Sequence, residues 1–286
     1  MSKPHVALVQ FPGSNCEWET KRAAEAAGLT CDIFRWNREP DLLAEYDGYI
    51  IGGGFSYQDR IRAGVIAAKE PIVDRLFSEA VDNGKPVLGI CNGAQVLVEA
   101  GLIPGLRPGE VEMALAPNRP YPAGRMAGFC CCWLYVKHVA APGRCAFNSN
   151  IAQGEVIPIP IAHGEGRFTT RSTAVLDRLR ENHQIIFQYC DFRGNVSDEL
   201  EINPNGAVEN LAGLCNPEGN VLAMMPHPER ASFLRQIPTD IAGEWGQCKL
   251  EAMGNAEAQT QPGPGLAVFT SLRDGLLQRV AALAAR

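Results

Sequence analysis

Long apolar runs are missing from this 286-residue chain. Residues 1–13 contain only a short apolar run before Pro12 and Gly13, which is too brief for the core of a signal peptide. No later run approaches the roughly 18 apolar residues that a membrane-spanning helix needs. The sequence therefore predicts a soluble, cytoplasmic protein without a membrane partner.

An excess of basic residues is also missing. The chain has 26 Lys and Arg residues against 32 Asp and Glu residues, which gives a net charge of −6 at pH 7. Proteins that bind nucleic acid usually present a basic face to the phosphates, so nucleic acid is not expected as the main partner. Hydrophobic residues make up 46% of the chain, as in ordinary globular proteins, and the length suits one large domain.

The cysteine pattern lacks the features of a disulfide framework. The ten cysteines are irregularly spaced in a long chain without an export signal, so most are expected to be small buried hydrophobic residues. Cys130, Cys131 and Cys132 are consecutive, but no CxxC pair accompanies them. Because adjacent side chains diverge on a strand, we predict a strand packed into the core here rather than a zinc site.

Strands and helices alternate along the first half of the chain. Predicted strands cover residues 5–11, 30–36, 46–51 and 86–90, and predicted helices cover 16–27, 67–83 and 92–99. The second half contains predicted strands at 129–139, 156–161, 184–189, 208–215 and 221–225, with helices at 173–182 and 265–286. This order predicts an α/β fold over residues 1–286, a single doubly wound, mostly parallel sheet with helices on both faces and a small antiparallel extension.

The segment Gly89-Ile90-Cys91-Asn92-Gly93 lies between a predicted strand and a predicted helix. A small residue on either side of a central nucleophile is typical of a nucleophile elbow, in which a sharp turn exposes the reactive atom. The start of a helix also favours a thiolate, the reactive form of cysteine. The pentapeptide is equally compatible with a glycine turn beside a buried cysteine.

His227 is the best candidate for the base that a nucleophilic cysteine needs. It lies between Pro226 and Pro228 just after a predicted strand, and both prolines restrict the backbone around it. Residues two apart in an extended segment face the same side, so Glu229 is expected to orient the imidazole as the third member of a triad. Cys91 and His227 both follow strands, and active sites of open α/β sheets lie at that edge.

An acyl-transfer site also needs donors for the developing oxyanion. The backbone N–H of Asn92, at the start of the helix, is one candidate. Gly53 or Gly54 is the second, because a glycine run after a strand can bring backbone amides close to a substrate. This run is not a phosphate-binding fingerprint, since no lysine follows at the required spacing.

Several longer strings resemble one family. They are VQFPGSNC at 9–16, GGFSY at 53–57, RAG at 62–64, GICNG at 89–93 with Gln95, HGEGRF at 163–168 and MMPHPER at 224–230. Together they resemble the glutaminase subunits of phosphoribosylformylglycinamidine synthase, which are class I glutamine amidotransferases with a flavodoxin-like fold. The resemblance spans about residues 5–231 and the final helix.

The resemblance implies a Cys91–His227–Glu229 triad that hydrolyses glutamine through a glutamyl thioester. Gln95 and the loop Gly53, Gly54, Phe55 and Ser56, with Asn92, would bind glutamine or the oxyanion. His163 is expected to be structural or at a partner interface. The ammonia would pass to a synthetase subunit, with or without a small third subunit, that amidates formylglycinamide ribonucleotide in purine biosynthesis. ATP and Mg²⁺ would belong to that partner, and no cofactor or metal is expected in this chain.

The chain also departs from the family pattern. Gly52 and Gln58 stand where proline and glycine are expected, and Cys132 stands where a basic residue is usual. Residues 233–265 are interpreted as an insertion before the last helix, and residues 254–265 as a flexible loop. The alternatives are the glutaminase of another amidotransferase, a cysteine hydrolase or peptidase on a related fold, and a non-enzymatic module, which usually loses a triad member.

Overall fold

The computed structural model describes residues 3–120 and 128–284, and strands account for much of this part of the chain. The strands are β1 (His5–Gln10), β2 (Thr30–Arg35), β3 (Gly48–Ile51), β4 (Val87–Ile90), β5 (Ala114–Ala116), β6 (Cys130–His138), β7 (Val156–His163), β8 (Arg167–Thr169), β9 (Ile185–Cys190), β10 (Leu211–Cys215) and β11 (Val221–Met224). The helices are α1 (Glu17–Ala26), α2 (Pro71–Val81), α3 (Asn92–Glu99), α4 (Thr173–Glu181), α5 (Glu244–Glu251) and α6 (Leu266–Ala284).

Nine of these strands form one sheet in the order β2-β1-β3-β4-β11-β10-β9-β6-β7. The five strands from β2 to β11 are parallel, and β10, β9, β6 and β7 continue the sheet in antiparallel fashion. Strands β5 and β8 form a separate antiparallel pair. The predicted doubly wound, mostly parallel α/β fold is confirmed, and the antiparallel extension comprises four strands.

The core lies against the middle of this sheet. Every residue of β3, β4, β10 and β11 is buried, as expected for strands covered on both faces. Helix α1 packs against α6, while α3 packs against β3, β4 and β11. Since β4 and β11 are parallel neighbours, Cys91 and the segment that follows Met224 emerge at the same edge of the sheet.

The exposure of the cysteine run contradicts one prediction. Cys131 and Cys132 are exposed and Cys130 is partly buried, so this end of β6 is not packed into the core. Strand β9 pairs with β6 only from Tyr135 onwards, and the first residues of β6 extend beyond it.

Residues 233–265 contain more structure than the sequence predicts. They include α5 and two short 3₁₀ turns, Leu234–Gln236 and Ala258–Thr260. The buried Lys249 ammonium donates to the carbonyls of Leu234 and Arg235 and to Gln259 Oε1, which ties these pieces together. The prediction that residues 254–265 form only a loop is therefore wrong for the 3₁₀ turn. The assignment of 233–265 as an insertion stays a prediction, and the last two residues of the predicted C-terminal helix lie outside the described ranges.

Across residues 3–120 and 128–284, none of the helices combines the length and the apolar character needed to traverse a bilayer.

Candidate active site

Cys91 occupies the sharp turn between β4 and α3. Its backbone has φ 51° and ψ −105°, a conformation that costs energy for any residue with a side chain. The close approach of neighbouring segments explains the flanking glycines. A Cβ on Gly93 would lie 1.9 Å from the Ile51 carbonyl oxygen, and one on Gly89 would lie 2.7 Å from the Gly93 oxygen. The predicted sharp turn between strand and helix at Cys91 is confirmed, and the role of Cys91 as the nucleophile stays a prediction.

His227 and Glu229 form a buried pair. His227 Nδ1 lies 2.5 Å from Glu229 Oε1, and because a carboxylate can only accept, Nδ1 carries the proton of this hydrogen bond. The backbone N–H of His227 donates to the Pro160 carbonyl of β7 at 2.9 Å. Glu229 orients the imidazole of His227 as predicted. The backbone differs from the prediction, because Glu229 lies in a 3₁₀ turn, Pro228–Ala231, rather than in an extended segment.

The surroundings of His227 favour its protonated form. Burial opposes the positive charge, but the Glu229 carboxylate and the Cys91 and Cys16 thiols outweigh it, and the pKa of His227 is raised well above 6.5. Among the described residues, its second nitrogen, Nε2, has no hydrogen-bond partner although it is buried. The raised pKa means that a proton shared between a thiol and His227 is favoured on the imidazole, from which it can be delivered to a leaving group.

A pocket of about 160 Å³ opens over Cys91. Its walls are formed by the loop after β3, the first turn of α3, the residue before β6, and the end of β7 with the loop that follows it. The lining residues are Gly54, Phe55, Asp59, Gln95, Phe129, Ala162, His163, Gly164 and Glu165. The Cys91 thiol donates to the Ala162 carbonyl at 3.5 Å. A larger cavity of about 470 Å³ lies elsewhere, beside Tyr135 and Trp245, and does not include Cys91.

The predicted glutamine-binding residues divide into two groups. Gly54, Phe55 and Gln95 line the pocket. Ser56 and Asn92 instead support it, since the Ser56 N–H donates to Asn92 Oδ1 at 3.1 Å and Asn92 Nδ2 donates to Gln95 Oε1 at 2.8 Å.

Some of the backbone N–H groups near the glycine loop already donate hydrogen bonds within the protein, so they cannot also bind an oxyanion. The Phe55 N–H donates to the Gly13 carbonyl at 2.9 Å. The first N–H groups of α3, beginning with Asn92, have no partner within their own helix. The arrangement therefore keeps the Asn92 N–H as a candidate oxyanion donor and excludes the Phe55 and Ser56 N–H groups in this conformation.

Gly53 packs directly against the catalytic candidates. A Cβ there would lie 2.8 Å from His227 Cε1 and 2.9 Å from Cys16 Sγ. The sequence did not single out Cys16, a buried thiol that accepts a hydrogen bond from Arg230 at 3.1 Å. Only its proximity in the fold reveals it, because 75 residues separate it from Cys91 in the sequence.

Three donor atoms lie close enough together to be considered as metal ligands. Cys16, His227 and Glu229 each offer one atom, and these atoms lie within 4.8 Å of one another. All three groups are already paired, His227 with Glu229 and Cys16 with Arg230, and the guanidinium charge of Arg230 opposes a cation here. The geometry is accounted for by the protein's own hydrogen bonds.

Asp59 and Glu165 bring two carboxyl groups to the pocket, which the sequence did not predict. Burial, and then the charge of Glu165, raise the pKa of Asp59 to about 6. His163 lies on the same wall, where its Nδ1 is 3.1 Å from Asn118 Oδ1. Burial, and then the charge of His227, lower its pKa to about 3, so His163 is neutral at physiological pH. The expectation that His163 is structural or at a partner interface stays a prediction.

Comparisons with known proteins agree with this geometry. Residues 3–272 match the family model described as the CobB/CobQ-like glutamine amidotransferase domain. The chain is 50% identical to phosphoribosylformylglycinamidine synthase subunit PurQ of Methanothrix thermoacetophila, over 82% of this chain and 88% of that protein. It is 43% identical to the same subunit of Pyrococcus furiosus, over 79% of this chain and 88% of that protein. Among solved structures, PurLQS from Thermotoga maritima superposes with a TM-score of 0.67 and 30% identity, covering 96% of this chain and 100% of that one.

Proposed function

The chain belongs to the CobB/CobQ-like glutamine amidotransferase family, and we propose that within it this protein is the glutaminase subunit of phosphoribosylformylglycinamidine synthase. It hydrolyses glutamine to glutamate and ammonia, and a synthetase subunit uses the ammonia to amidate formylglycinamide ribonucleotide in purine biosynthesis. The observation that carries this proposal is the strained Cys91 beside the buried His227–Glu229 pair, in a chain 50% identical to a PurQ subunit.

The first half of the reaction forms a covalent intermediate. Cys91 gives its proton to His227 Nε2, and the sulfur attacks the carboxamide carbon of glutamine. The negative charge that develops on the oxygen is held by backbone donors, among them the Asn92 N–H. His227 then returns the proton to the nitrogen, the C–N bond breaks, and ammonia leaves a glutamyl thioester on Cys91. Glu229 fixes the proton-bearing tautomer of His227 and stabilises its positive charge.

The second half releases glutamate. His227 takes a proton from water, and the hydroxide attacks the thioester carbon. The C–S bond breaks as His227 returns the proton to the Cys91 sulfur. The acidic pocket wall suits the substrate, because Asp59 and Glu165 face the space where the α-ammonium of glutamine can be neutralised. Gln95 lies on the same pocket wall and donates from Nε2 to the Glu165 carbonyl at 2.7 Å, which fixes this wall.

The chain itself requires no cofactor under this proposal. The nucleophile, the base and the oxyanion donors are all groups of the protein itself, while the synthetase uses ATP and Mg²⁺. The cytoplasm is the proposed location, and the ten free cysteines are compatible with a reducing compartment.

The decisive experiment compares two nitrogen sources in the reconstituted complex. In Cys91→Ala, glutamine-dependent amidation is expected to fall by at least about a thousandfold, as happens when a nucleophile that acts with its base as a unit is removed. Ammonium chloride bypasses the glutaminase, so ammonia-dependent amidation is expected to stay at the wild-type rate. Cys131→Ala, which changes an exposed cysteine outside the pocket, is the matched control.

The same complex tests the partner. Glutaminase activity is expected to rise when the synthetase, ATP and formylglycinamide ribonucleotide are added together. An isolated chain that is fully active and indifferent to the synthetase would contradict the proposal, and so would wild-type amidation from glutamine in Cys91→Ala.

A further inference from the structure

Cys130 and Cys132 form a pair of thiols at the solvent-facing start of β6. They lie two residues apart on one strand, so their side chains share a face, and their sulfur atoms are 3.7 Å apart. Cys132 is exposed and Cys130 is partly buried, whereas most of the other cysteines of the chain are buried. Cys131 is also exposed but projects from the opposite face.

The separation of the two sulfur atoms matches that of a metal chelate. Zn²⁺ binds thiolates at about 2.3 Å in tetrahedral geometry, which places two sulfur ligands about 3.8 Å apart. We propose that Cys130 and Cys132 form a bidentate thiolate site for Zn²⁺, with water in the remaining positions. Soft thiolate ligands favour Zn²⁺ over the hard ions Mg²⁺ and Ca²⁺.

The backbone holds this pair in place before a cation arrives. Cys130 pairs with His163 and Cys132 with Ile161 of β7, so one edge of the strand is fixed by the sheet. On its other edge, β9 pairs with β6 only as far as Tyr135. Of the two thiols, that of Cys132 is exposed and that of Cys130 is partly buried. Binding therefore needs deprotonation of the thiols and no rearrangement of the strand.

The site adjoins the wall of the Cys91 pocket. Phe129, the residue before Cys130, lines that pocket and its ring lies 5.8 Å from the ring of Phe55, measured between centroids. The β7 residues opposite Cys130 and Cys131, His163 and Ala162, line it as well. A cation on the thiol pair would thus be separate from the buried Cys16–His227–Glu229 group while lying close to residues that line the Cys91 pocket.

Titration of the full-length protein with Co²⁺, the spectroscopic substitute for Zn²⁺, tests the proposal. Cys91→Ala is introduced into every protein of the series, including the one called wild type in this titration, so the active-site thiol is absent. Wild type is expected to develop a sulfur-to-cobalt charge-transfer band that Zn²⁺ abolishes. Cys130→Ser and Cys132→Ser are each expected to weaken Co²⁺ binding at least tenfold, because one thiolate is lost from a two-thiolate chelate. Cys131→Ser is the matched control and is expected to bind like wild type.

Three outcomes would overturn the proposal. The first is the absence of a charge-transfer band in wild type. The second is an equal loss of the band in Cys131→Ser, which would indicate non-specific thiol binding. The third is a band that survives in Cys130→Ser and Cys132→Ser but disappears in Cys16→Ser, which would place the ion in the active site. Circular dichroism of each variant confirms folding, and none of these outcomes depends on the glutaminase activity.

Discussion

At the scale of single residues, the acidic wall of the pocket controls how the site responds to pH. Asp59 and Glu165 face the same small space, and their mutual repulsion adds to the effect of burial on Asp59. A carboxyl with a pKa of about 6 changes its charge close to the physiological range. The α-ammonium of glutamine stays charged throughout that range, so the attraction between substrate and wall depends on Asp59.

We expect the KM for glutamine to rise as the pH falls through about 6, because Asp59 takes up a proton and the wall loses a negative charge. Steady-state glutaminase assays of the complex between pH 5 and 8 would measure this. Asp59→Asn is expected to lose this step and to show, across the whole range, the raised KM that wild type reaches only below about pH 6. An Asp59→Asn protein whose KM retains the wild-type pH profile would show that another group is responsible.

Asp59 also makes the stability of the fold depend on pH, and the direction of that dependence follows from its raised pKa. Since the pKa of Asp59 is higher in the folded protein than its ordinary 3.8, the folded state binds more protons between 3.8 and about 6. The contribution of Asp59 to the free energy of unfolding therefore decreases as the pH rises through that window. Substrate affinity and the stability contribution of Asp59 thus change in opposite directions with pH.

At the scale of secondary structure, the turn from β4 to α3 depends on close backbone contact. We expect Gly93→Ala to lower the free energy of unfolding by roughly 1–3 kcal/mol, as in other overpacked positions. A Cβ at this position would lie 1.9 Å from the Ile51 carbonyl, so β3 and α3 must move apart. The displacement would also misplace Cys91. Urea unfolding and the rate at which a glutamine analogue alkylates Cys91 measure the two effects.

Gly275→Ala is the control for this substitution. Gly275 lies in α6, where a Cβ would come no closer than 3.8 Å to the Ala146 carbonyl. Alanine is the better helix former, so this variant is expected to be as stable as wild type or slightly more stable. Equal stability of Gly93→Ala and Gly275→Ala would mean that the elbow tolerates a side chain.

The strands and helices that the sequence predicted have a clear local pattern of apolar residues, and the elements that it missed do not. Short apolar runs were sufficient to predict β1 to β4, and helical spacing of apolar residues was sufficient for α1 to α4. Strands β5 and β8 have three residues each and exist only because they pair across 50 intervening residues, which no local period reveals. Helix α5 contains Gly246, a poor helix former that is present because a Cβ would lie 1.8 Å from the Ile241 carbonyl.

At the scale of the whole molecule, the ten thiols differ sharply in accessibility. The buried ones are Cys16, Cys31, Cys91, Cys145, Cys190 and Cys215, and the others are Cys130, Cys131, Cys132 and Cys248. The expectation that most cysteines are buried is thus confirmed. Burial also raises the pKa of Cys215 to about 11 and that of Cys31 to about 12, so both stay protonated at neutral pH.

A bulky maleimide is therefore expected to label only Cys130, Cys131, Cys132 and Cys248 in the native protein. After unfolding, it is expected to label all ten thiols. Poor access protects the six buried thiols, and the raised pKa values of Cys31 and Cys215 also lower their thiolate fractions. Mass spectrometry of peptides from timed reactions would measure each rate. Rapid native labelling of Cys31 or Cys215 would contradict the packing described above.

Local sequence patterns predicted only those active-site residues whose immediate neighbours in the chain are distinctive. Cys91, His227 and Glu229 were found because glycines and prolines surround them. Cys16, Asp59 and the Ala162 carbonyl reach the site from distant parts of the chain, so they become visible only when the sheet is assembled. The resemblance to a family supplied the substrate, which the triad alone did not identify.

Two hydrogen bonds join the edge of the sheet to segments that follow its central strands. Strand β7 is the ninth strand in the order, yet its Pro160 and Ala162 carbonyls accept hydrogen bonds from His227 and Cys91, which follow central strands. A molecule held between them is therefore bound by two regions that could otherwise open separately. Occupancy would merge these regions into one cooperative unfolding unit, and substrate would protect the edge of the sheet as firmly as its centre.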